Sequence, residues 1–138
     1  MKRITRDELK RIVELHEKWV NEGRSGVRAD LRNYDLINYD LRGSNLMGAY
    51  LTGADLAGTM INNCIGNMKE IRSIQLETYA IAFTKEVLAI GCEQHSIDDW
   101  KNFSDDDICE MDGALALAFW EKWKDHIFAT IDLCFREE

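Results

Sequence analysis

Apolar positions follow more than one rhythm along the 138-residue chain. Near the start, Leu9, Ile12, Val13, His16, Trp19 and Val20 return at helical spacing, which predicts a helix with one apolar stripe. Thr5 followed by Glu8 reads as a capping box, and Gly23 as the helix end. The rhythm then changes. Leu31, Leu36, Leu41, Leu46, Leu51, Leu56 and Ile61 fall at every fifth position. Helices and strands repeat at about 3.6 and 2.0 residues, so neither puts every fifth side chain on one face. A five-residue period predicts a solenoid with one side per repeat.

Stacked coils would pair backbone at roughly 4.8 Å. Residues twenty apart should therefore stack: Leu31 on Leu51, Leu36 on Leu56, and Leu41 on Ile61. Gly43, Gly48, Gly53 and Gly58, with Asn33, Asn38, Asn62 and Asn63, supply the turn chemistry that corners need. Beyond Ile61 the phase weakens. Gly66 breaks it, and Ile71 and Leu76 restore it, so residues 64–76 read as a degraded final coil. Such a short solenoid has two open ends that need caps. The amphipathic helix is the expected N-terminal cap, with His16 packed in its stripe.

The blocks read Ala29-Asp30-Leu31-Arg32-Asn33, Tyr34-Asp35-Leu36-Ile37-Asn38, Tyr39-Asp40-Leu41-Arg42-Gly43 and onward in the same phase to Asn63. They closely resemble the pentapeptide-repeat family. That resemblance implies a right-handed quadrilateral β-helix with four blocks per coil. The central Leu and the small residue two before it would point inward, and the other three positions outward. Tyr34 and Tyr39 depart from the pattern, standing where a small inward residue belongs. They are read as rings splayed at the open end against the preceding helix, or as the wall of a ligand groove.

After Leu76 the five-residue period vanishes. Residues 77–92 have helical composition, with Tyr79, Ala80, Phe83, Val87, Leu88 and Ile90 mostly on one side. Residues 95–103 read as a short helix capped by Ser96 and anchored by Ile97 and Trp100. Ser104 caps a turn through Asp105, Asp106 and Asp107, and Gly113 separates it from a last helix over 114–135. That helix is apolar nearly all round, as expected of one buried on several sides. A second copy of the chain is the expected cover, with Trp120, Trp123, Ile127, Phe128 and Ile131 at the interface. The expected architecture is thus mixed: an N-terminal capping helix (1–23), a short right-handed quadrilateral β-helix (24–76), and a C-terminal α-helical subdomain (77–138). The tail, with His95-Ser96-Ile97, Trp100, Phe103 and Phe119-Trp120-Glu121-Lys122-Trp123-Lys124, resembles those of small phage and prophage pentapeptide-repeat proteins.

The net charge of -8 is unevenly distributed. Residues 1–42 carry 10 Lys/Arg and 8 Asp/Glu, and residues 43–138 carry 7 and 17. Residues 93–112 hold one Lys against eight acids, a stretch that would repel a phosphate backbone. Direct nucleic-acid binding is therefore not expected. The first methionine opens a charged helical segment rather than a signal peptide, and no apolar run reaches membrane-spanning length. Four dispersed cysteines without a CxxC pair read as reduced thiols of a cytoplasmic protein.

No nucleophile elbow, zinc-protease helix, phosphate loop or dinucleotide fingerprint appears. Cys92 and His95 have ligand-like spacing, with Cys109 as a third candidate, but a structural zinc site needs a second close pair. Asp105, Asp106 and Asp107 are consecutive, unlike the alternating ligands of a calcium loop. Cys64 reads as a small inward residue. No enzyme, metal or cofactor is expected. The leading expectation is a protein-binding module whose acidic face, Asp98, Asp99, Asp105, Asp106 and Asp107, meets a basic host protein in the manner of a DNA mimic. The alternative is a homo-oligomer that sequesters a small anionic ligand. Its site would draw on Arg24, Arg28, Arg32, Tyr34, Tyr39 and Arg42, with His95, Trp100 and Lys124 as further pocket residues.

Overall fold

The computed structural model describes residues 1–136; the last two residues of the expected 77–138 segment lie outside them. The chain forms two compact units, Met1–Gln94 and a second beginning at His95.

The first unit opens with α1 (Arg6–Glu22), whose N-cap is Thr5. The Thr5 hydroxyl oxygen accepts from the Glu8 N–H at 3.1 Å and donates to the Glu8 carboxylate at 2.9 Å, which satisfies one of the helix's orphan amides. Gly23, at φ 62°, ends the helix by donating to the Trp19 carbonyl. α1 buries Leu9, Val13 and His16.

The chain then coils with a period of twenty residues. Parallel bridges join Asp30 to Tyr50, Asp35 to Asp55, Asp40 to Met60 and Asn45 to Ile65. The period of twenty is four five-residue blocks, and the expected pairing of residues twenty apart is realised. The Leu31, Leu36 and Leu41 amides donate to the carbonyls of Tyr50, Asp55 and Met60 at 2.8–3.0 Å. Leu31, Leu36, Leu41, Leu46, Leu51 and Ile61 are fully enclosed, and Leu56 is half-buried.

Two local devices make the coil. The fifth residue of every block is left-handed: Asn33, Asn38, Gly43, Gly48, Gly53, Gly58 and Asn63 all have φ between 57° and 78°. Only Gly and, next, Asn adopt this conformation readily. The second residue, when Asp or Asn, turns its oxygen onto the amide two residues on. Asp30, Asp35, Asp40, Asn45 and Asp55 accept from Arg32, Ile37, Arg42, Met47 and Ala57 at 3.0–3.2 Å, an Asx turn at each corner.

Both coil ends are closed by the chain itself. Lys2 adds a bridge beside Tyr34, donating to the Asn33 carbonyl and accepting from the Asp35 amide. At the far end the coil runs on through Ile65, and a tight crossing takes the place of the rest of the degraded coil expected over 64–76. Gly66 is buried, and a Cβ there would lie 2.1 Å from the Ile71 carbonyl oxygen. The phase break therefore marks a place where two backbones meet. The Asn67 side chain donates to Ala49 O and accepts from Ile71 N.

The helix expected over 77–92 is absent. Residues 72–96 form an antiparallel sheet of β1 (Arg72–Leu76), β2 (Tyr79–Phe83), β3 (Val87–Ile90) and β4 (Glu93–Ser96), in that order. Ala82 pairs with Ala89 on the face that joins the coil's core, with Val87 beside them. Ile81 pairs with Ile90, and Phe83 with Leu88, on the opposite face, which is also buried. A strand buried on both faces loses its apolar–polar alternation. Its hydrophobic run then looks helical, which accounts for the misreading. Leu76 lies on β1 rather than inside a coil.

The second unit holds α2 (Ile97–Asn102) and α3 (Asp105–Phe135). Ser96 and Ser104 are their N-caps, and Ser104 with Asp107 completes a reciprocal capping box. Asp112 and Gly113 leave helical geometry and kink α3. Aromatic rings fill the unit: Trp100 lies 5.2 Å from Trp120 and 5.3 Å from Phe103, and Trp120 lies 5.5 Å from Phe128. Among the described residues no helix is long and apolar enough to cross a membrane.

Candidate functional site

The arginines of the first coil are already engaged. Arg32 and Arg42 each form a two-pronged pair with the Asp two residues before, Asp30 and Asp40, at 2.7–2.9 Å. The pairing holds the Asp30 carboxyl down at about 2 and the Asp40 carboxyl below its ordinary value. Arg28 donates to the Gly48 carbonyl at 2.7 Å and lies over the rings of Tyr50 (4.1 Å) and Trp19 (5.0 Å). Arg24 is exposed on the single 3-10 turn after α1. Tyr34 faces Lys2 at 5.5 Å, and the Tyr39 hydroxyl donates to the Ile4 carbonyl. Both tyrosines thus meet the segment that precedes α1.

Tyr39 also stands between two grooves. One, of about 680 Å³, runs between α1 and the coil, with Arg6, Lys10 and Glu14 on the helix and Tyr39, Asp40 and Arg42 on the coil. The other, of about 600 Å³, includes Arg3, Glu8, Asp35 and Tyr39. Each lining mixes cations with carboxylates, so neither is a dedicated anion cradle. The sequence reading missed Arg6, Lys10 and Tyr50. Tyr50 takes the place of the Asp in its block, and that substitution was the available signal.

The other pocket candidates belong to the second unit. His95 packs edge-on against Trp100 (5.3 Å) and Phe103 (4.9 Å). Trp100 is fully buried, so it is a core ring rather than an open stacking platform. Lys124 is exposed. The expected interface residues divide. Trp120, Ile127 and Ile131 are buried within the single chain, while Trp123 and Phe128 are half-buried. Leu115 and Leu133 are the exposed large aliphatics of α3.

The acidic residues gather at two helix starts. Asp98 and Asp99 occupy the first turn of α2, and Asp105, Asp106 and Asp107 that of α3. All five are exposed, and carboxylates there are favoured by the helix dipole. The Asp107 carboxylate also has a structural task, accepting from the Ser104 amide at 2.9 Å. The two units differ sharply in charge: residues 1–94 carry 13 Lys/Arg and 13 Asp/Glu, whereas residues 95–138 carry 4 and 12. The whole net charge of -8 therefore belongs to the helical unit.

His16 is buried, and its two ring nitrogens reach the coil at Ala29 and Met47. Burial pushes the Cys64 thiol up to about 12. Among the described residues no three of His, Cys, Asp and Glu come together so as to hold a metal ion.

The family of pentapeptide repeats (8 copies) matches residues 27–65. This segment is a run of pentapeptide repeats. It coincides with the twenty-residue coil and gives the segment its β-helix-like character. No curated protein and no solved structure matches the chain.

Proposed function

We propose that the chain is a non-enzymatic binding protein that meets a basic surface of another protein through its acidic helical unit. The separation of charge carries this reading: the pentapeptide-repeat unit is electrically balanced and the helical unit holds the full excess of acid. Exposed carboxylates grouped at two helix starts act mainly on the rate and salt dependence of encounter. The tail's likeness to small phage and prophage proteins makes a host DNA-acting or defence protein the partner class, with the protein working in the cytoplasm as an inhibitor. The coil, read here as the right-handed quadrilateral form, is a short scaffold whose Asp30 and Asp40 are paired with Arg32 and Arg42. The acidic unit is therefore the mimic.

The test is capture from a bacterial lysate at low and high salt, followed by association kinetics with the captured protein. Asp98→Asn, Asp99→Asn, Asp105→Asn and Asp106→Asn together should slow association and flatten its salt dependence. Asp107 is kept for its cap. An unchanged rate at low salt would leave these acids a solvation role only.

A second reading, sequestration of a small anionic ligand, rests on the groove beside Arg6, Lys10, Arg42 and Tyr39. Native mass spectrometry of the purified protein decides it, since a retained ligand adds mass. For oligomeric state we propose a homodimer through α3. Exposed Leu115 and Leu133 favour it, as does Trp123, whose enclosed ring N–H has no acceptor among the described residues. Sedimentation as a monomer at all practical concentrations would remove this reading.

A further inference from the structure

His16 sits on α1 but spends neither ring nitrogen on α1. Nδ1 lies 3.0 Å from the Ala29 amide nitrogen, and Nε2 lies 3.0 Å from the Met47 carbonyl oxygen. An amide N–H can only donate and a carbonyl can only accept, so the ring must be neutral with its proton on Nε2. The two partners come from opposite ends of the first coil. Ala29 enters its first side and Met47 leaves its fourth. A single enclosed ring therefore ties the start of the coil, its end and the helix together.

An imidazolium cannot make this arrangement. It carries a proton on both nitrogens, so Nδ1–H would face the Ala29 N–H, two donors meeting in a site closed to water. The charged groups acting on the ring are Glu17 on α1 and Arg28 beside the coil, and they pull in opposite directions. Both are held elsewhere: Glu17 accepts from the Asn45 amide, and Arg28 donates to Gly48 O. Neither puts an acceptor at Nδ1. The ladder that winds the coil, such as Leu31 N to Tyr50 O and Leu36 N to Asp55 O, is backbone only and does not titrate.

We propose that His16 is an acid-released latch, its neutral ring fastening α1 to the first coil and its protonation freeing the helix while the coil stays wound. Release would uncover the apolar stripe of α1, Leu9 and Val13 included, and one end of the leucine column. The direction is set by linkage. Burial lowers the ring's pKa in the docked state below the ordinary 6.5. Docking is thus at full strength above 6.5 and weakens as pH falls below it.

Amide hydrogen exchange of the full chain from neutral pH to mild acid tests this, with protection corrected for the intrinsic pH dependence of exchange. Ala29 N–H reports the latch and Leu31 N–H reports the coil. Ala29 protection should fall by up to about tenfold per pH unit below the free ring's pKa, while Leu31 protection holds. His16→Gln supplies an acceptor and a donor without titrating, so it should abolish the slope. Flat Ala29 protection in the wild type, loss at Leu31 in step with Ala29, or a wild-type slope in His16→Gln would each overturn the latch. Should His16→Gln fail to fold, ring nitrogen shifts of the wild type decide, with His95 and His126 as internal references. Ring protonation and Ala29 opening must then share one midpoint, and a ring that protonates with Ala29 still protected refutes the proposal.

Discussion

The side chain of Asn33 stands directly over Gly53, twenty residues on and one coil away. A Cβ added to Gly53 would lie 2.1 Å from Asn33 Oδ1, and Asn38 stands over Gly58 in the same way at 2.2 Å. Gly53 and Gly58 therefore serve twice, taking a left-handed φ and leaving room for the neighbouring corner's Asn.

Gly43 has the same left-handed φ with open space around it, so it separates the two effects. Gly43→Ala should cost about 1–2 kcal/mol, the price of a left-handed residue with a Cβ. Gly53→Ala should cost a further 1–3 kcal/mol or so for the overpacking. Adding Asn33→Gly should recover the overpacking part only. Urea unfolding of the three variants measures all of these terms.

Leu41 is enclosed in the column, whereas Leu56 is half-buried. Leu41→Ala should lower stability by about 2–5 kcal/mol, and Leu56→Ala by less. Equal losses in denaturant unfolding would mean that the column is packed alike along its length.

The Asp30 carboxyl, paired with Arg32, should titrate near 2 rather than at its ordinary 3.8. Its folded value is depressed, so whatever the pair contributes is present above 3.8 and is lost as pH falls toward about 2. Arg32→Ala should return the titration toward 3.8, as followed by carboxyl carbon shifts. Both groups are exposed, and little change in overall stability is expected.

Thiol labelling of the native protein at neutral pH should begin at Cys92, which is exposed, and leave Cys64 unmodified. Burial both covers the Cys64 sulfur and pushes its pKa up to about 12, and the thiolate is the reactive form. Peptide mapping after a short alkylation checks the order. Labelling of Cys64 should require unfolding.

How far the chain could be read from its residues depended on how near each residue's partners lie. The coil was legible because every device in it is local and repeated: a left-handed Asn or Gly, an Asp bonding two residues ahead, and a Leu in between. The caps of α1, α2 and α3 were legible for the same reason, each needing one hydroxyl and the amide three residues on. The acidic helix starts were legible as charge. The pairing of Arg32 and Arg42 was not legible, because it follows from the Asx turns that place Asp30 and Asp40 within their reach.

What the residues determined by themselves was the winding of 29–63, the start of each helix, and the sign and place of the net charge. Tertiary structure alone decided the sheet over 72–96. Its central strands β2 and β3 are buried on both faces, so their alternation is erased, and the turns at Glu77 and Thr84 use no Gly, Pro or Asn to announce them. It also decided that Trp120, Ile127 and Ile131 are covered within one chain, and that His16 binds Ala29 and Met47 at once. Those outcomes depend on surfaces and bonds between residues far apart in the chain, which carry no repeating mark in the sequence.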